Sequence, residues 1–87
     1  HLGILLEYFS PLVKKGGRCL AFKGPRAFEE LKEFYGREGK LGWSGLEVWK
    51  YDLDERELFI FTWQKSRDAE MKLPRRVGIP EKRPWWR

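Results

Sequence analysis

Cysteine and histidine are almost absent from this sequence of 87 residues. It contains one cysteine, Cys19, and one histidine, His1. A single cysteine excludes an internal disulfide. Zinc sites are built mainly from cysteine and histidine ligands, which this chain cannot supply in sufficient number. We therefore predict no metal site.

Long apolar runs are absent as well. The longest, Cys19–Phe22 and Leu58–Phe61, have four residues each, far below the roughly 20 that a transmembrane helix needs. Yet hydrophobic residues make up 41% of the chain and aromatic residues 16%, which is too apolar for a disordered segment. A chain of this length has room for one hydrophobic core and one domain.

The motifs of common enzymes are missing too. No G-x-G-x-x-G loop follows a strand-like run, so the dinucleotide-binding fingerprint is absent, and there is no P-loop. The serines have no histidine to activate them except the terminal His1. Cys19 lies in a core-like apolar run, which predicts a packing role. We assign no catalytic residue and no cofactor-binding residue within this chain.

Positive charge is concentrated at one end. Residues 1–64 contain ten Lys/Arg and ten Asp/Glu, whereas residues 65–87 contain eight and three, so the whole net charge of +5 lies in the second segment. A neutral body with a basic tail is typical of proteins that bind nucleic acid or an anionic membrane surface. A solvated tail that only aids solubility is the alternative. We divide the chain into a body, residues 1–65, and a proline-marked tail, residues 66–87.

Apolar spacing predicts an α/β fold for the body. The predicted elements are a helix over 2–13, a strand over 18–23, a helix that buries Ala27, Phe28, Leu31, Phe34 and Tyr35, and hairpin strands over 46–53 and 57–65. The apolar run in the first strand suits a strand covered on both faces. A strand–helix–strand unit followed by a hairpin partner predicts a mixed three-stranded sheet with two helices. The prolines of the tail favour an extended course without a helix.

Two features remain as candidate binding sites. Lys23 ends a predicted strand just before a helix begins, and ligands bind at this edge of open α/β sheets. An ordinary exposed lysine is the alternative. The tail spaces its cations between prolines and ends in Trp85 and Trp86. These tryptophans could stack on unpaired bases, or they could pack back on the sheet as a hydrophobic clasp.

Two segments of the sequence resemble one family. Gly16–Arg18 followed by Ala21–Pro25 (A-F-K-G-P), with a Glu-rich helix behind them, resembles the fifth strand of the RsmG (GidB) methyltransferases. The pattern P-R-R-x-G-x-P-x-K-x-P over residues 74–84 resembles that family's C-terminal signature. The two segments occur in the right order, so together they are more specific than either alone.

The resemblance implies the C-terminal portion of a class I methyltransferase with a Rossmann-like, doubly wound α/β fold. In such a fold the last hairpin strand inserts antiparallel between the other two strands. The family transfers a methyl group from S-adenosylmethionine to N7 of a guanine in small-subunit ribosomal RNA, and its members are cytoplasmic. The resemblance further implies that Lys23, Arg75, Arg76 and Lys82 belong to a basic, RNA-binding surface.

The segments that hold the methyl donor in this family, a glycine-rich loop and an acidic residue, would precede His1. We therefore expect the chain to be part of a longer parent whose cofactor is S-adenosylmethionine, and to transfer no methyl group alone. An unpaired sheet edge predicts self-association of the isolated chain. Two alternatives stay open: a non-catalytic RNA-binding module or methyltransferase remnant, and a peripheral membrane protein bound through its Trp-Trp-Arg end. The tail has no amphipathic helical period, so the membrane alternative ranks last.

Overall fold

A computed structural model describes all 87 residues, His1–Arg87. The elements are α1 (Leu2–Phe9), a 3₁₀ turn (Ser10–Leu12), β1 (Arg18–Lys23), α2 (Ala27–Lys32), a second 3₁₀ turn (Glu38–Leu41), β2 (Trp43–Leu53), β3 (Arg56–Lys65) and α3 (Ile79–Lys82). The bounds of β1 are those predicted, and both hairpin strands begin earlier than predicted. None of the helices has the length and apolar character that crossing a bilayer requires.

The three strands form one sheet in the order β1-β3-β2. The central strand β3 pairs antiparallel with both neighbours, so that Cys19 lies opposite Trp63, and Val48 lies opposite Phe61. The predicted hairpin and the insertion of its last strand between the other two are confirmed. The predicted mixed sheet is wrong. The strands β1 and β2 point the same way, but β3 separates them, so every hydrogen-bonded pair is antiparallel.

The core lies between one face of the sheet and the helices. Alternate residues of β1 and β3 point into it, which is the period expected of strands, and the helices and the tail cover them. Its members include Leu2, Leu6, Cys19, Ala21, Phe34, Phe61, Trp63, Trp85 and Trp86. Burial raises the pKa of the Cys19 thiol to about 11, which keeps it protonated and unreactive. The predicted packing role of Cys19 is confirmed.

The opposite face of the sheet is open. Leu20 and Phe22 of β1 are 51% and 64% exposed, and Trp49 of β2 is also exposed. The strand register places Phe22 and Trp49 on either side of Ile60, so the exposed apolar residues form one row across the sheet. The prediction that β1 is covered on both faces is therefore wrong for this chain, because helices and tail all pack on the side of Cys19.

Both longer helices end before the apolar periodicity does. The helix α1 stops at Phe9, and the chain tightens into a 3₁₀ turn that leaves Leu12 exposed. The helix α2 stops at Lys32, and Tyr35 is exposed. Leu12 and Tyr35 therefore do not join the buried stripes predicted for them. A residue keeps its place on a helical face only while the period of 3.6 residues continues.

The tail folds back onto the body. Trp85 and Trp86 are only 2% and 6% exposed, so neither ring is free to stack on a base. They pack back as a hydrophobic clasp, as the second alternative predicted, but their contacts are with Gly3 of α1 and with Phe34 and not with the strands of the sheet. The tail also contains α3, which has Pro80 in its first turn, where the missing amide of proline breaks no helical hydrogen bond. The prediction of a tail without a helix is wrong at these four residues.

Candidate nucleic-acid interface

A buried ion pair holds the tail against α1. Arg75 Nε donates to Glu7 Oε2 at 2.6 Å, and Arg75 Nη2 donates to Glu7 Oε1. The Glu7 side chain is 2% exposed and that of Arg75 is 19% exposed. The hydrogen bonds to Glu7 raise the pKa of Arg75. This two-bond geometry is the strongest that an arginine and a carboxylate can form. Arg75, a predicted RNA-binding residue, is therefore engaged within its own chain.

A second contact joins α3 to α1. Tyr8 Oη donates to Glu81 Oε1 at 2.6 Å. This bond raises the pKa of the Tyr8 phenol and lowers the pKa of the Glu81 carboxyl, because it favours the protonated phenol and the charged carboxylate. The adjacent Lys82, on the same short helix, is exposed. The contact thus fixes the segment that carries Lys82.

Replacing Glu81 with glutamine is expected to lower the pKa of Tyr8, because the charged acceptor is lost. An NMR titration of the Tyr8 ring measures this, and Lys82→Gln is the matched control, which should leave the Tyr8 pKa much less changed. In the folded chain, Glu81 contributes stability above its unfolded pKa and loses it as the pH falls through its lowered folded pKa. Tyr8 contributes stability below its unfolded pKa, and this stability is lost as the pH rises through its raised folded pKa. An unchanged Tyr8 pKa in Glu81→Gln would show that α3 is not seated on α1.

Lys23 lies at the end of β1, as predicted, and contacts α2. Its Nζ is 3.4 Å from Glu30 Oε1. The same oxygen accepts a hydrogen bond from the backbone amide of Leu2 at 2.8 Å. Glu30 thus connects β1, α2 and the first residue of α1, and it offsets part of the charge of Lys23.

The four predicted site residues do not form one cluster. Lys23 lies near the first residue of α1, Leu2, whereas Arg75 contacts Glu7, about 7.5 Å further along a helix axis. Arg76 and Lys82 are exposed on the tail beyond Arg75. Neither forms an ion pair with a carboxylate. The structure thus places Arg75, Arg76 and Lys82 along the tail, with Arg75 on Glu7, and leaves Lys23 near the first residue of α1.

Lys65, the first of the eight cations in the basic end of the chain, supports the fold. Its Nζ donates to the backbone carbonyls of Ser10 and Val13, and it lies 5.5 Å from the centre of the Trp43 ring. Burial lowers the pKa of Lys65, because removal from water disfavours the charged form. The charge count along the sequence therefore overstates what this end of the chain presents to a partner.

The same count misses cations of the neutral body that lie beside the tail. Arg37 Nη1 donates to the carbonyl of Trp86 at 2.7 Å, and Lys40 Nζ donates to the carbonyl of Trp85 at 3.2 Å. The one sequence signal for them is the G-R-E-G-K segment that begins at Gly36. Its glycines mark a turn, so its cations are not expected on the solvent-exposed face of α2.

Comparison with known proteins finds relatives that are named as ribosomal RNA methyltransferases. The chain is 39% identical over 83 residues to the ribosomal RNA small subunit methyltransferase G of Fervidobacterium nodosum. This match covers 95% of the chain and 39% of that protein. The protein of the same name in Syntrophomonas wolfei is 39% identical over 84 residues, and the match covers 95% of the chain and 39% of that protein. The protein of that name in Thermotoga maritima is 40% identical over 87 residues, and the match covers 97% of the chain and 36% of that protein. No family model matches the chain.

The chain therefore spans less than two fifths of the length of these relatives. The similarity extends over nearly all of the chain. Its extent is consistent with the C-terminal part predicted from the K-G-P segment and the proline-marked signature. The predicted resemblance is confirmed: nearly the whole chain is similar to one part of proteins named ribosomal RNA small subunit methyltransferase G (RsmG).

Proposed function

We propose that this chain is the C-terminal segment of an rRNA guanine-N7 methyltransferase and contributes RNA-binding residues to it. Residues 1–65 would complete a Rossmann-like methyltransferase domain in a cytoplasmic parent that uses S-adenosylmethionine, and residues 66–87 would form its RNA-binding tail. The observation that carries the proposal is similarity over nearly the whole chain to proteins named as rRNA methyltransferases. The exposed cations Arg76 and Lys82 support the role of the tail.

In the proposed reaction, this chain would help to position the RNA. Guanine N7 carries no proton, so its attack on a methyl group needs alignment and a favourable electrostatic site more than a strong base. Arg76 and Lys82 are free to contact phosphates of the RNA backbone. Arg75 would act through the tail, since its guanidinium is bound to Glu7. Lys23 would contribute from the other end of α1.

The residues of this chain do not fit a complete site for the methyl donor. None of its three clefts is lined by a residue of β1. Glu30, the carboxylate beside the end of β1, is already bound to Lys23 and to the Leu2 amide. We therefore derive no step through the donor. The structure contains no group of three or more His, Cys, Asp and Glu side chains placed to hold a metal ion.

The double variant Arg76→Ala/Lys82→Ala tests the RNA-binding part of the proposal. Each lost phosphate contact should flatten the slope of log K against log salt by about 0.7–0.9, so we expect a slope about 1.5 shallower and a weaker affinity. Fluorescence anisotropy with a fragment of small-subunit rRNA measures both. The matched control is Lys50→Ala/Arg56→Ala in the β2–β3 hairpin, which removes the same charge. Equal slopes in the two double variants would contradict the assignment.

A non-catalytic RNA-binding module or methyltransferase remnant is the second candidate. It is favoured by the poor fit of these residues to a methyl donor. The intact mass of the native gene product, measured in cell extract, separates the candidates. A mass well above 10.5 kDa would support the enzyme, whose donor site should then lie outside this chain. A mass near that value would support the module.

We also propose that the isolated chain self-associates. The strand β1 has an unpaired edge in the sheet order, and the open face of the sheet exposes Leu20 and Phe22 on β1 and Trp49 on β2. Such an edge favours pairing with another copy. Light scattering at micromolar concentration should show dimers or larger species, which Phe22→Lys should disperse. A monomer at that concentration would contradict the proposal.

A further inference from the structure

A basic cleft opens between the loop after α2 and the end of the tail. Its volume is about 410 Å³. Four of its nine lining residues are cations, Arg37, Lys40, Arg67 and Arg87, and one is an acid, Glu70. These side chains carry three net positive charges, although Arg37 and Lys40 come from the electrically neutral body. We call these four cations and the space between them the carbonyl-held cleft.

Backbone carbonyls hold three of the four cations. Arg37 and Lys40 donate to the carbonyls of Trp86 and Trp85. Arg67 Nη2 donates to the carbonyl of Gly39 at 3.0 Å. A carbonyl carries no net charge, so it orients a cation without neutralising it. Lys23 and Arg75 differ in this respect, because a carboxylate pairs with each of them.

The acid in the cleft offsets little of this charge. Glu70 Oε2 accepts a hydrogen bond from Arg67 Nη2 at 3.1 Å, and both side chains are 60% exposed. Exposed pairs of this kind interact weakly because water screens them. No carboxylate pairs with Arg37, Lys40 or Arg87.

The cleft is also preorganised. The carbonyls that hold Arg37 and Lys40 belong to Trp86 and Trp85, whose buried rings fix the backbone. The side chains therefore lose less freedom when a ligand binds than free surface cations would. A guanidinium has five N–H donors, and Arg37 uses one of its nitrogens here. The remaining donors can bind two phosphate oxygens side by side.

We propose that the carbonyl-held cleft binds phosphate groups of the RNA backbone, as a second contact surface besides Arg76 and Lys82. This rests on the proposed function, since it takes RNA as the partner. The cleft offers charge and N–H donors, whereas the rings of Trp85 and Trp86 are buried and leave no aromatic face for a base. Contacts of this kind position RNA without reading its sequence.

The double variant Arg37→Gln/Lys40→Gln tests the cleft. Glutamine can still donate to the carbonyls, so the clasp should remain seated while the charge is lost. We expect weaker RNA binding and a salt slope about 1.5 shallower, measured by anisotropy with a fragment of small-subunit rRNA. The matched control is Arg26→Gln/Lys32→Gln, a pair at the two ends of α2, which should change the slope much less. Urea unfolding of each variant checks that the chain stays folded.

Gly39→Ala tests the same cleft without removing a charge. An added Cβ would lie 2.6 Å from Arg67 Nη2, so the guanidinium must shift from its position beside Gly39. Only the end of a flexible side chain has to move, and we expect stability close to that of the unmodified chain. We expect weaker RNA binding because the Arg67 guanidinium is no longer held in place, with a smaller change in the salt slope than in Arg37→Gln/Lys40→Gln because the charge is kept. This variant therefore decides the matter even if the glutamine variant fails to fold.

The outcomes separate the cleft from the proposed function. If Arg76→Ala/Lys82→Ala weakens RNA binding while folded Arg37→Gln/Lys40→Gln and Gly39→Ala bind like the unmodified chain, the cleft proposal is overturned and the proposed function stands. If the unmodified chain does not bind the RNA at all, the proposed function fails and the cleft proposal fails with it. Loss of binding in both sets supports two contact surfaces.

Discussion

Replacing Arg75 with alanine is expected to lower the free energy of unfolding by about 3–5 kcal/mol. The loss arises because the variant leaves Glu7, which is 2% exposed, as a buried charge without a partner. An exposed ion pair would contribute only about 0–1 kcal/mol. Urea unfolding followed by circular dichroism measures the difference.

The double variant Glu7→Leu/Arg75→Met is the control for this prediction. Replacing a buried ion pair with apolar residues of similar size is often neutral, so this variant should recover most of the stability. A cost below about 1 kcal/mol for Arg75→Ala would place the pair in water and contradict the buried junction. Because Arg75 holds the tail against α1, weaker RNA binding in Arg75→Ala would indicate a displaced tail and not the loss of a phosphate contact by Arg75 itself.

Replacing Trp85 with alanine should cost about 3–5 kcal/mol, as for other large buried aromatic side chains. Its indole Nε1 donates to the Gly3 carbonyl at 2.8 Å, and its ring centre lies 5.5 Å from that of Phe34. The variant removes the hydrogen bond and leaves a cavity between α1, Phe34 and the tail. Urea unfolding measures the loss, and limited proteolysis should show cleavage confined at first to residues 66–87.

Two matched variants sharpen this test. Trp85→Phe keeps a ring and loses the hydrogen bond, which should cost about 1–3 kcal/mol because the Gly3 carbonyl is left unsatisfied. Trp49→Ala removes a tryptophan from the open face of the sheet, where most of the ring is already in water, and should cost less than either. If Trp85→Ala proved no more costly than Trp49→Ala, the C-terminal clasp would be wrong.

Local signals in the sequence predicted the strands well. Gly16–Gly17 before β1 and Gly24–Pro25 after it mark both ends, and the charged segment between β2 and β3 marks a hairpin turn. The strand order came from the family resemblance. Burial was harder to predict, because an apolar run indicates that a strand can be covered and does not reveal what covers it. The prediction of burial therefore failed at Leu20 and Phe22, which are exposed.

The candidate site could be predicted only in part. Lys23, Arg76 and Lys82 are where a strand end and a basic tail suggest, at the end of β1 and on the surface. Arg75 differs because its partner, Glu7, lies 68 positions away, and no local pattern connects them. Arg37 likewise meets Trp86 across 49 positions. Contacts between distant segments decide which cations are neutralised, and a count of charges along the chain cannot reveal them.

The salt dependence of RNA binding by the unmodified chain tests the central claim most directly. About five phosphate contacts, spread over the tail and the carbonyl-held cleft, predict that the affinity for a fragment of small-subunit rRNA falls roughly a hundredfold between about 50 and 200 mM monovalent salt. Anisotropy titrations at several salt concentrations measure this slope. Absent binding, or an affinity that barely changes with salt, would contradict an RNA-binding role for this chain.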